Sequence, residues 1–132
     1  MKYLLDTHVW IWWYMNPDKL SDKVIKLISN SKNYDELLLS SISPWEFCKL
    51  IEKGRLSIKS SPKKWLEQAF DLPKFRLLSL SPLIAFESTN LKQPFHSDPA
   101  DQIIVASALN EKATIMTKDR LLHGYKHVNC VW

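Results

Sequence analysis

Apolar and polar residues follow each other along the chain in a pattern that predicts short strands separated by helices. The apolar runs with the length of buried strands are residues 2–5, 37–41, 76–80, 114–117 and 127–131. Helices are predicted directly after the first strand and at residues 21–29, 45–53, 63–70 and 81–91. Strands that alternate with helices are typical of a doubly wound parallel sheet, and we place the strand at residues 127–131 at its edge.

The segment at residues 99–110 differs from the other predicted helices because it is apolar on nearly every side. Its apolar residues are Ile103, Ile104, Val105, Ala106, Ala108 and Leu109. Such a helix is expected to lie buried at the centre of the molecule. The predicted fold is therefore α/β, with three layers in which helices cover both faces of a parallel sheet of about five strands.

Length and composition set outer limits on the function. The chain has 132 residues, of which 45% are hydrophobic and 24% charged, as expected for one globular domain spanning residues 1–132. The formal net charge of +4 modestly favours anionic partners without identifying one. Cys48 and Cys130 are too far apart for a zinc motif, which favours a reduced, cytoplasmic protein. Asp6 and His8 interrupt the first apolar stretch, so we expect neither a signal peptide nor a membrane span.

Acidic residues occupy equivalent places in the predicted map of elements. Asp6 ends the first strand, and Asp119 follows the fourth strand. Glu46 and Asp101 lie in the first turns of two predicted helices, after the second strand and at the start of the buried helix. Because the carboxyl ends of parallel strands line a common crevice, these four carboxylates are expected to converge in space.

A cluster of carboxylates is electrostatically unfavourable unless a cation lies among them, because their mutual repulsion raises at least one pKa. Hard oxygen ligands of this kind suit Mg²⁺ or Mn²⁺. An ion held in this way can activate water for in-line attack on a phosphodiester and stabilise the entering and leaving oxygens. The pattern predicts a metal-dependent nuclease.

The alternative interpretation is that these acids only cap helices and turns. Residues 43–46 and 98–101 both have the form of a capping box with proline at the first helical position. Asp6 and Asp119 would pass as ordinary turn residues at strand ends. Residues 61–64 and 81–84 also resemble helix starts, yet they end in lysine and isoleucine, so capping does not require an acid there.

At these same positions the chain resembles the PIN-domain family, and within it the VapC-type toxin nucleases of bacterial VapBC toxin–antitoxin pairs. The segments that carry the resemblance span nearly the whole chain in the family's order. They are Leu4-Leu5-Asp6-Thr7-His8, Ser43-Pro44-Trp45-Glu46, His96-Ser97-Asp98-Pro99-Ala100-Asp101, Ile104-Val105-Ala106-Ser107-Ala108 and Thr117-Lys118-Asp119.

The resemblance implies that the four acids form the metal and catalytic site, namely Asp6, Glu46, Asp101 and Asp119. It also implies that Thr117 supports this site. We expect Asp98 to cap the helix and to support the site rather than bind the ion directly. An RNA substrate, homodimerisation and inhibition by a small antitoxin encoded beside the gene follow from the same resemblance. Gln102 is a departure, because related sequences often carry arginine there, which leaves substrate contacts and antitoxin fit open.

Aromatic and basic residues are further candidates. Trp10 and Trp13, three residues apart, share a helix face and are expected in the core or a dimer contact. Trp12 and Tyr14 are expected to be exposed, as part of a protein-binding groove or as stacking platforms for RNA bases. The basic residues that we expect around the acids, to hold an RNA backbone, are Lys49, Arg55, Lys92, Lys118 and Arg120.

Two other classes of function compete with the nuclease. A phospho-acceptor receiver domain is also doubly wound and holds Mg²⁺ on acids, but it is expected to carry an acid pair after its first strand, where Asp6 stands alone. A catalytically inactive module that keeps the fold for partner contacts is the second. The presence of all four acids argues against it.

Overall fold

The computed structural model describes residues 1–32, 36–71 and 74–132. Its strands are β1 (Tyr3–Leu5), β2 (Leu37–Ser40), β3 (Arg76–Leu78), β4 (Thr114–Met116) and β5 (Cys130–Val131). Its α-helices are α1 (Thr7–Met15), α2 (Asp22–Asn30), α3 (Ile42–Glu52), α4 (Pro62–Asp71), α5 (Pro82–Ser88), α6 (Pro99–Glu111) and α7 (Arg120–His123). A short 3₁₀ turn, Pro17–Lys19, joins α1 to α2.

All strand pairs of the sheet are parallel, in the order β3-β2-β1-β4-β5. The predicted parallel sheet is confirmed, and β5 lies at its edge as expected. This order differs from the 2-1-3-4-5 arrangement of receiver domains, so the receiver interpretation is wrong.

Successive residues of the strands point to opposite faces of the sheet and pack against different helices. On one face Leu5 joins a core that includes Trp10 of α1 and Phe47 of α3. On the other face Leu4 packs with Ile104 of α6. Since all five of these side chains are buried, helices cover both faces of the sheet, and the predicted three-layer fold is confirmed.

The central helix α6 is largely buried as predicted, but Ile103 is only half-buried and Leu109 is 40% exposed. Its buried residues are Ala100, Ile104, Val105, Ala106, Ser107 and Ala108. The helix begins after Asp98 and ends at Lys112, which adopts a left-handed conformation with φ of 55°. Burial of α6 fixes the position of Asp101 in its first turn.

The predicted start of α3 is wrong. The helix begins at Ile42, so Ser43 lies inside its first turn and Glu46 in the second turn rather than the first. The Ser43 hydroxyl contacts Thr7, 36 residues earlier in the chain, instead of capping the helix. At another predicted helix start, Ser81 does accept a hydrogen bond from the N–H of Ile84, but that helix ends at Ser88 rather than near residue 91.

The aromatic residues of α1 differ in part from expectation. Trp10 is fully buried, whereas Trp13 is half-buried against the same core. Trp12 is not exposed as predicted; it is half-buried, and its ring centroid lies 6.3 Å from that of Trp132. Tyr14 is exposed, and its ring packs edge-on against Trp65. The first helix therefore contributes mainly to the core.

In the part of the chain that the structure describes, none of the helices has the length and apolar character needed to cross a lipid bilayer.

Candidate active site

Asp6 and Thr117 follow β1 and β4, which are hydrogen-bonded neighbours in the sheet. The chain winds from β1 through β2 to β3 in one direction and continues from β4 to β5 in the other. The point between β1 and β4 is therefore the switch point, where parallel α/β sheets open a crevice beyond their strand ends.

The Asp6 carboxylate is held at the start of α1 by two hydrogen bonds. One oxygen accepts from the backbone N–H of Thr7 at 2.7 Å, and the other accepts from the hydroxyl of Thr117 at 2.7 Å. Burial raises the pKa of Asp6 above its ordinary value of 3.8, and it outweighs the hydrogen bond from Thr117, which lowers the pKa. Asp6 is thus fixed in position, and its ionised form is disfavoured unless a cation compensates the charge.

Glu46 extends from α3 toward the start of α1. The Thr7 hydroxyl donates to the Glu46 carboxylate, and the hydroxyl oxygens of Thr7 and Ser43 are 2.8 Å apart. Because Thr7 has a single hydroxyl proton, Ser43 must donate to Thr7 when Thr7 donates to Glu46. Burial raises the pKa of Glu46 to about 7, and the negative charges of Asp6 and Asp101 add to the rise.

Asp101 lies at the start of α6 between two side chains that restrain it. Asp98 caps the helix as predicted, and its carboxylate accepts from the backbone N–H of Asp101 at 3.0 Å. The Asp101 carboxylate does not complete a capping box but lies 2.7 Å from Nε2 of His96. Burial raises the pKa of Asp101 most, and the hydrogen bond with His96 partly offsets this rise.

Asp119 completes the acidic group at the start of α7. Its carboxylate accepts from the N–H of Leu121 at 2.9 Å, which makes it the cap of that helix. Its own N–H donates to the Thr117 hydroxyl oxygen at 3.0 Å. Since the same hydroxyl donates to Asp6, Thr117 joins Asp119 to Asp6 directly.

These four acids line one cleft of about 450 Å³, which we call the acidic cleft. The structure thereby brings together Asp6, Glu46, Asp101 and Asp119 as the sequence predicts. The remaining residues that line the acidic cleft are His8, Val9, Trp12, Asp98 and Lys118. Carboxylates outnumber the cations in this cleft, so its character is acidic although the chain as a whole is basic.

The acidic cleft fits a divalent cation in charge and in chemical type. Carboxylate oxygens are the hard ligands that Mg²⁺ and Mn²⁺ prefer. Burial raises the pKa of Asp6, Glu46 and Asp101, and neighbouring carboxylates add to the rise, so a cation in the cleft would favour the ionised forms of these acids. Within residues 1–32, 36–71 and 74–132, however, no three acidic, histidine or cysteine side chains form a ready-made cage for an ion. The acids therefore share one cleft, and each carboxylate is hydrogen-bonded to a protein partner.

Residues 3–127 match the sequence pattern of the PIN domain. The chain belongs to the PIN-domain family. It is 33% identical over 124 residues to Ribonuclease VapC22 of Mycobacterium tuberculosis, an alignment that covers 94% of this chain and 92% of that relative. The family predicted from the short motifs is confirmed.

Solved structures share the fold of this PIN domain over almost their full length. A toxin–antitoxin complex from Klebsiella pneumoniae matches with a TM-score of 0.68 and 17% identity, covering 99% of this chain and 97% of that chain. VapBC2 from Rickettsia felis, bound to a DNA fragment from its promoter, matches with a TM-score of 0.70 and 18% identity, covering 100% and 99%. At these identities the likeness concerns the fold.

The basic residues predicted around the acids of this PIN domain lie in different places. Lys118 lines the acidic cleft. Lys49 and Arg55 line a neighbouring cleft that shares Glu46 with it. Lys92 lines another cleft, beside α5 and α6, so its predicted place at the acids is wrong. Arg120 begins α7 and is exposed, but it is not among the residues that line the acidic cleft.

Three polar residues of the site were not assigned a role from the sequence. Thr7 and Ser43 restrain Glu46, and His96 restrains Asp101. The motifs contain all three, yet a local pattern does not reveal contacts between separate elements. The available signal for Thr7 was its position directly after Asp6 at the end of a buried strand.

The raised pKa of Glu46 predicts a pH dependence for the stability of the metal-free protein. Between about 4.5 and 7 the folded protein holds a proton on Glu46 that the unfolded chain lacks, so stability falls as pH rises through this window. Above about 7 the contribution of Glu46 is flat. We expect Glu46→Gln to reduce the fall, measured by urea denaturation in EDTA between pH 5 and 8.

Glu67→Gln is the matched control, because Glu67 is exposed on α4 and does not line the acidic cleft. Its stability should follow the wild-type pH profile. Equal slopes for wild type and Glu46→Gln would show that Glu46 titrates normally in the folded protein.

Proposed function

We propose that this chain is a metal-dependent endoribonuclease that acts as the toxin of a type II toxin–antitoxin pair. The observation that carries the proposal is the convergence of Asp6, Glu46, Asp101 and Asp119 on one cleft at the switch point of a PIN-domain sheet. The proposed reaction is hydrolysis of RNA phosphodiester bonds. The relative from Mycobacterium tuberculosis is a ribonuclease by name, which supports RNA as the substrate class.

The same four acids are the proposed ligands of Mg²⁺ or Mn²⁺. A bound ion would lower the pKa of a coordinated water and stabilise charge on the reacting phosphate oxygens. The protein's part is positional: Thr117 and the N–H of Thr7 orient Asp6, while the Thr7 hydroxyl orients Glu46. Each of these partners is a neutral donor, so it holds the carboxylate in place without neutralising its charge.

Other residues complete the proposed site around these ligands. His96 orients Asp101 through their hydrogen bond, and Asp98 fixes the first turn of the helix that carries Asp101. Thr117 connects Asp6 to Asp119 through a single hydroxyl. Lys118 is a cation on the wall of the acidic cleft, where it is available to an RNA phosphate.

The proposed partners are a small antitoxin and a second copy of the chain. The structure from Klebsiella pneumoniae that shares this fold is a toxin–antitoxin complex, which supports an antitoxin partner. An RNA substrate and two free cysteines are consistent with a cytoplasmic protein. The antitoxin is tested by expressing the chain alone and together with a small reading frame encoded beside its gene. Growth arrest that no such frame relieves would count against an antitoxin partner.

An exposed apolar patch on α5 and α6 supports the proposed homodimer. Leu83 and Phe86 lie three residues apart on α5, and Phe86 is 65% exposed. Phe86 and Leu109 of α6 line the same cleft of about 600 Å³. Exposed apolar residues grouped in this way commonly mark protein interfaces.

A catalytically inactive binding module is the alternative to the nuclease. It would not require acids whose burial raises their pKa, since such groups lower the stability of the empty fold at neutral pH. Retention of all four acids therefore favours the enzyme.

Replacing one carboxylate tests the nuclease directly. Asp101→Asn keeps the shape of the side chain but removes a charge from the proposed metal site. We expect the rate of RNA cleavage with Mg²⁺ or Mn²⁺ to fall by at least about 100-fold, because a metal ion contributes several kcal/mol to such reactions. Circular dichroism should show an unchanged fold.

Asp22→Asn is the control for this experiment, because Asp22 is an exposed acid at the start of α2 and does not line the acidic cleft. Its activity should equal that of wild type. A folded, antitoxin-free wild type that cuts neither single-stranded nor hairpin RNA with either ion would refute the nuclease and favour the binding module.

A charge in the apolar patch tests the homodimer. Phe86→Asp is expected to shift the mass in solution from twice the chain mass to the single-chain value of 15.4 kDa, measured by light scattering. Leu121→Asp is the control, since Leu121 is similarly exposed but lies on α7 outside the patch. A wild type that stays monomeric at tens of micromolar concentration would contradict this proposal.

A further inference from the structure

A second cleft adjoins the acidic cleft and, unlike it, has more cations than carboxylates among its lining residues. It lies between α3 and the start of α6 and has a volume of about 370 Å³. Its walls include Trp45, Lys49, Lys53 and Arg55, and we call it the basic cleft. Glu46 and Asp98 line both clefts, so the two clefts are immediate neighbours.

Trp45 presents a large aromatic surface in this cleft. The helix α3 buries Phe47 in the core, whereas Trp45, two residues earlier, is 54% exposed. It immediately precedes Glu46, one of the proposed metal ligands. The ammonium of Lys49 lies 5.7 Å from the centre of the Trp45 ring. The helix α3 thus places the exposed ring of Trp45, with Lys49 beside it, next to the acidic cleft.

The turn that ends α3 places Lys53 and Arg55 at the basic cleft. Gly54 adopts φ of +70°, a conformation that other residues rarely take, and the chain turns back so that the N–H of Arg55 donates to the carbonyl of Leu50 at 2.8 Å. Lys53 and Arg55 therefore flank the cleft on either side of this turn. Neither forms an ion pair with any residue that the structure describes, whereas Lys49 pairs with Glu52.

We propose that the basic cleft binds the nucleotides next to the scissile phosphate of a single-stranded RNA. Trp45 stacks on a base, and Lys53 and Arg55 contact the flanking phosphates. This inference rests on the proposed ribonuclease function and assigns to that site a binding surface for its substrate. Basic grooves with aromatic platforms are the general means by which proteins hold single strands, because every base has a face that can stack.

The position of the basic cleft beside the acidic cleft favours RNA over a protein segment as the occupant. Because Glu46 and Asp98 line both clefts, the nucleotides next to a phosphate held at the four acids would lie within reach of the basic cleft. The charges of the two clefts also suit successive RNA phosphates. One phosphate would contact the acids by way of a bound metal ion, whereas the next would contact Lys53 and Arg55 directly. An acidic protein segment would be attracted to the basic cleft but repelled by the acidic cleft.

The test measures binding of a labelled, mixed-sequence single-stranded RNA by fluorescence anisotropy on an Asp6→Asn background, which separates binding from cleavage. Trp45→Ala is expected to weaken binding about 5- to 100-fold, and Trp45→Phe much less, because a smaller ring still stacks. Lys53→Gln with Arg55→Gln should lower the slope of log Kd against log salt by about 1.4, or about 0.7 for each phosphate contact.

The matched control removes the same charge near the amino end of β1, away from the carboxyl ends of the strands where the acids lie. Lys23 and Lys26 line a cleft beside Met1 and Tyr3, and their double glutamine variant should keep the wild-type salt slope. An equal change in slope for both pairs, or unchanged binding by Trp45→Ala, would overturn the inference. Unchanged RNA binding with a weakened antitoxin complex would overturn it too and would assign the cleft to the antitoxin. These anisotropy results decide the inference separately from any failure to cleave RNA.

Discussion

Burying the Asp6 carboxylate at the carboxyl ends of β1 and β4 is unfavourable unless its oxygens receive hydrogen bonds. The N–H of Thr7 and the hydroxyl of Thr117 supply them from two elements that the parallel pairing of β1 and β4 brings together. Because Thr117 also accepts from Asp119, one buried hydroxyl sets the spacing of two of the four acids. The position of the acidic cleft thus depends on the pairing at the switch point of the sheet.

The other two acids reach the same place through helices on opposite sides of that junction. The Thr7 hydroxyl orients Glu46, and His96 orients Asp101. Burial raises the pKa of both carboxylates, and their negative charges repel each other. The fold therefore maintains a cluster that a divalent cation would stabilise, and binding of such a cation would be coupled to proton release.

Sequence patterns predicted the elements of this protein better than the contacts between them. Apolar runs marked the strands because buried parallel strands are apolar on both faces. The start of α3 was misplaced because Ser43 and Pro44 resemble a helix cap, whereas Ser43 bonds instead to Thr7, far away in sequence. The His96–Asp101 contact was likewise not predictable, since it depends on how the segment before α6 folds back on the helix. The convergence of Asp6 and Asp119 was predictable because parallel topology brings strand ends together, whereas Glu46 and Asp101 join them through the packing of α3 and α6.

Calorimetric titration of the wild type with Mn²⁺ at pH 6.5, in buffers of different ionisation enthalpy, tests the coupling between the acids and a cation most directly. Since the pKa of Glu46 is about 7, binding should release about one proton at this pH and close to none at pH 9. Asp6→Asn should bind the ion more weakly. No measurable binding at either pH, or binding that neither releases protons nor changes in Asp6→Asn, would contradict the account of the acidic cleft as a metal site.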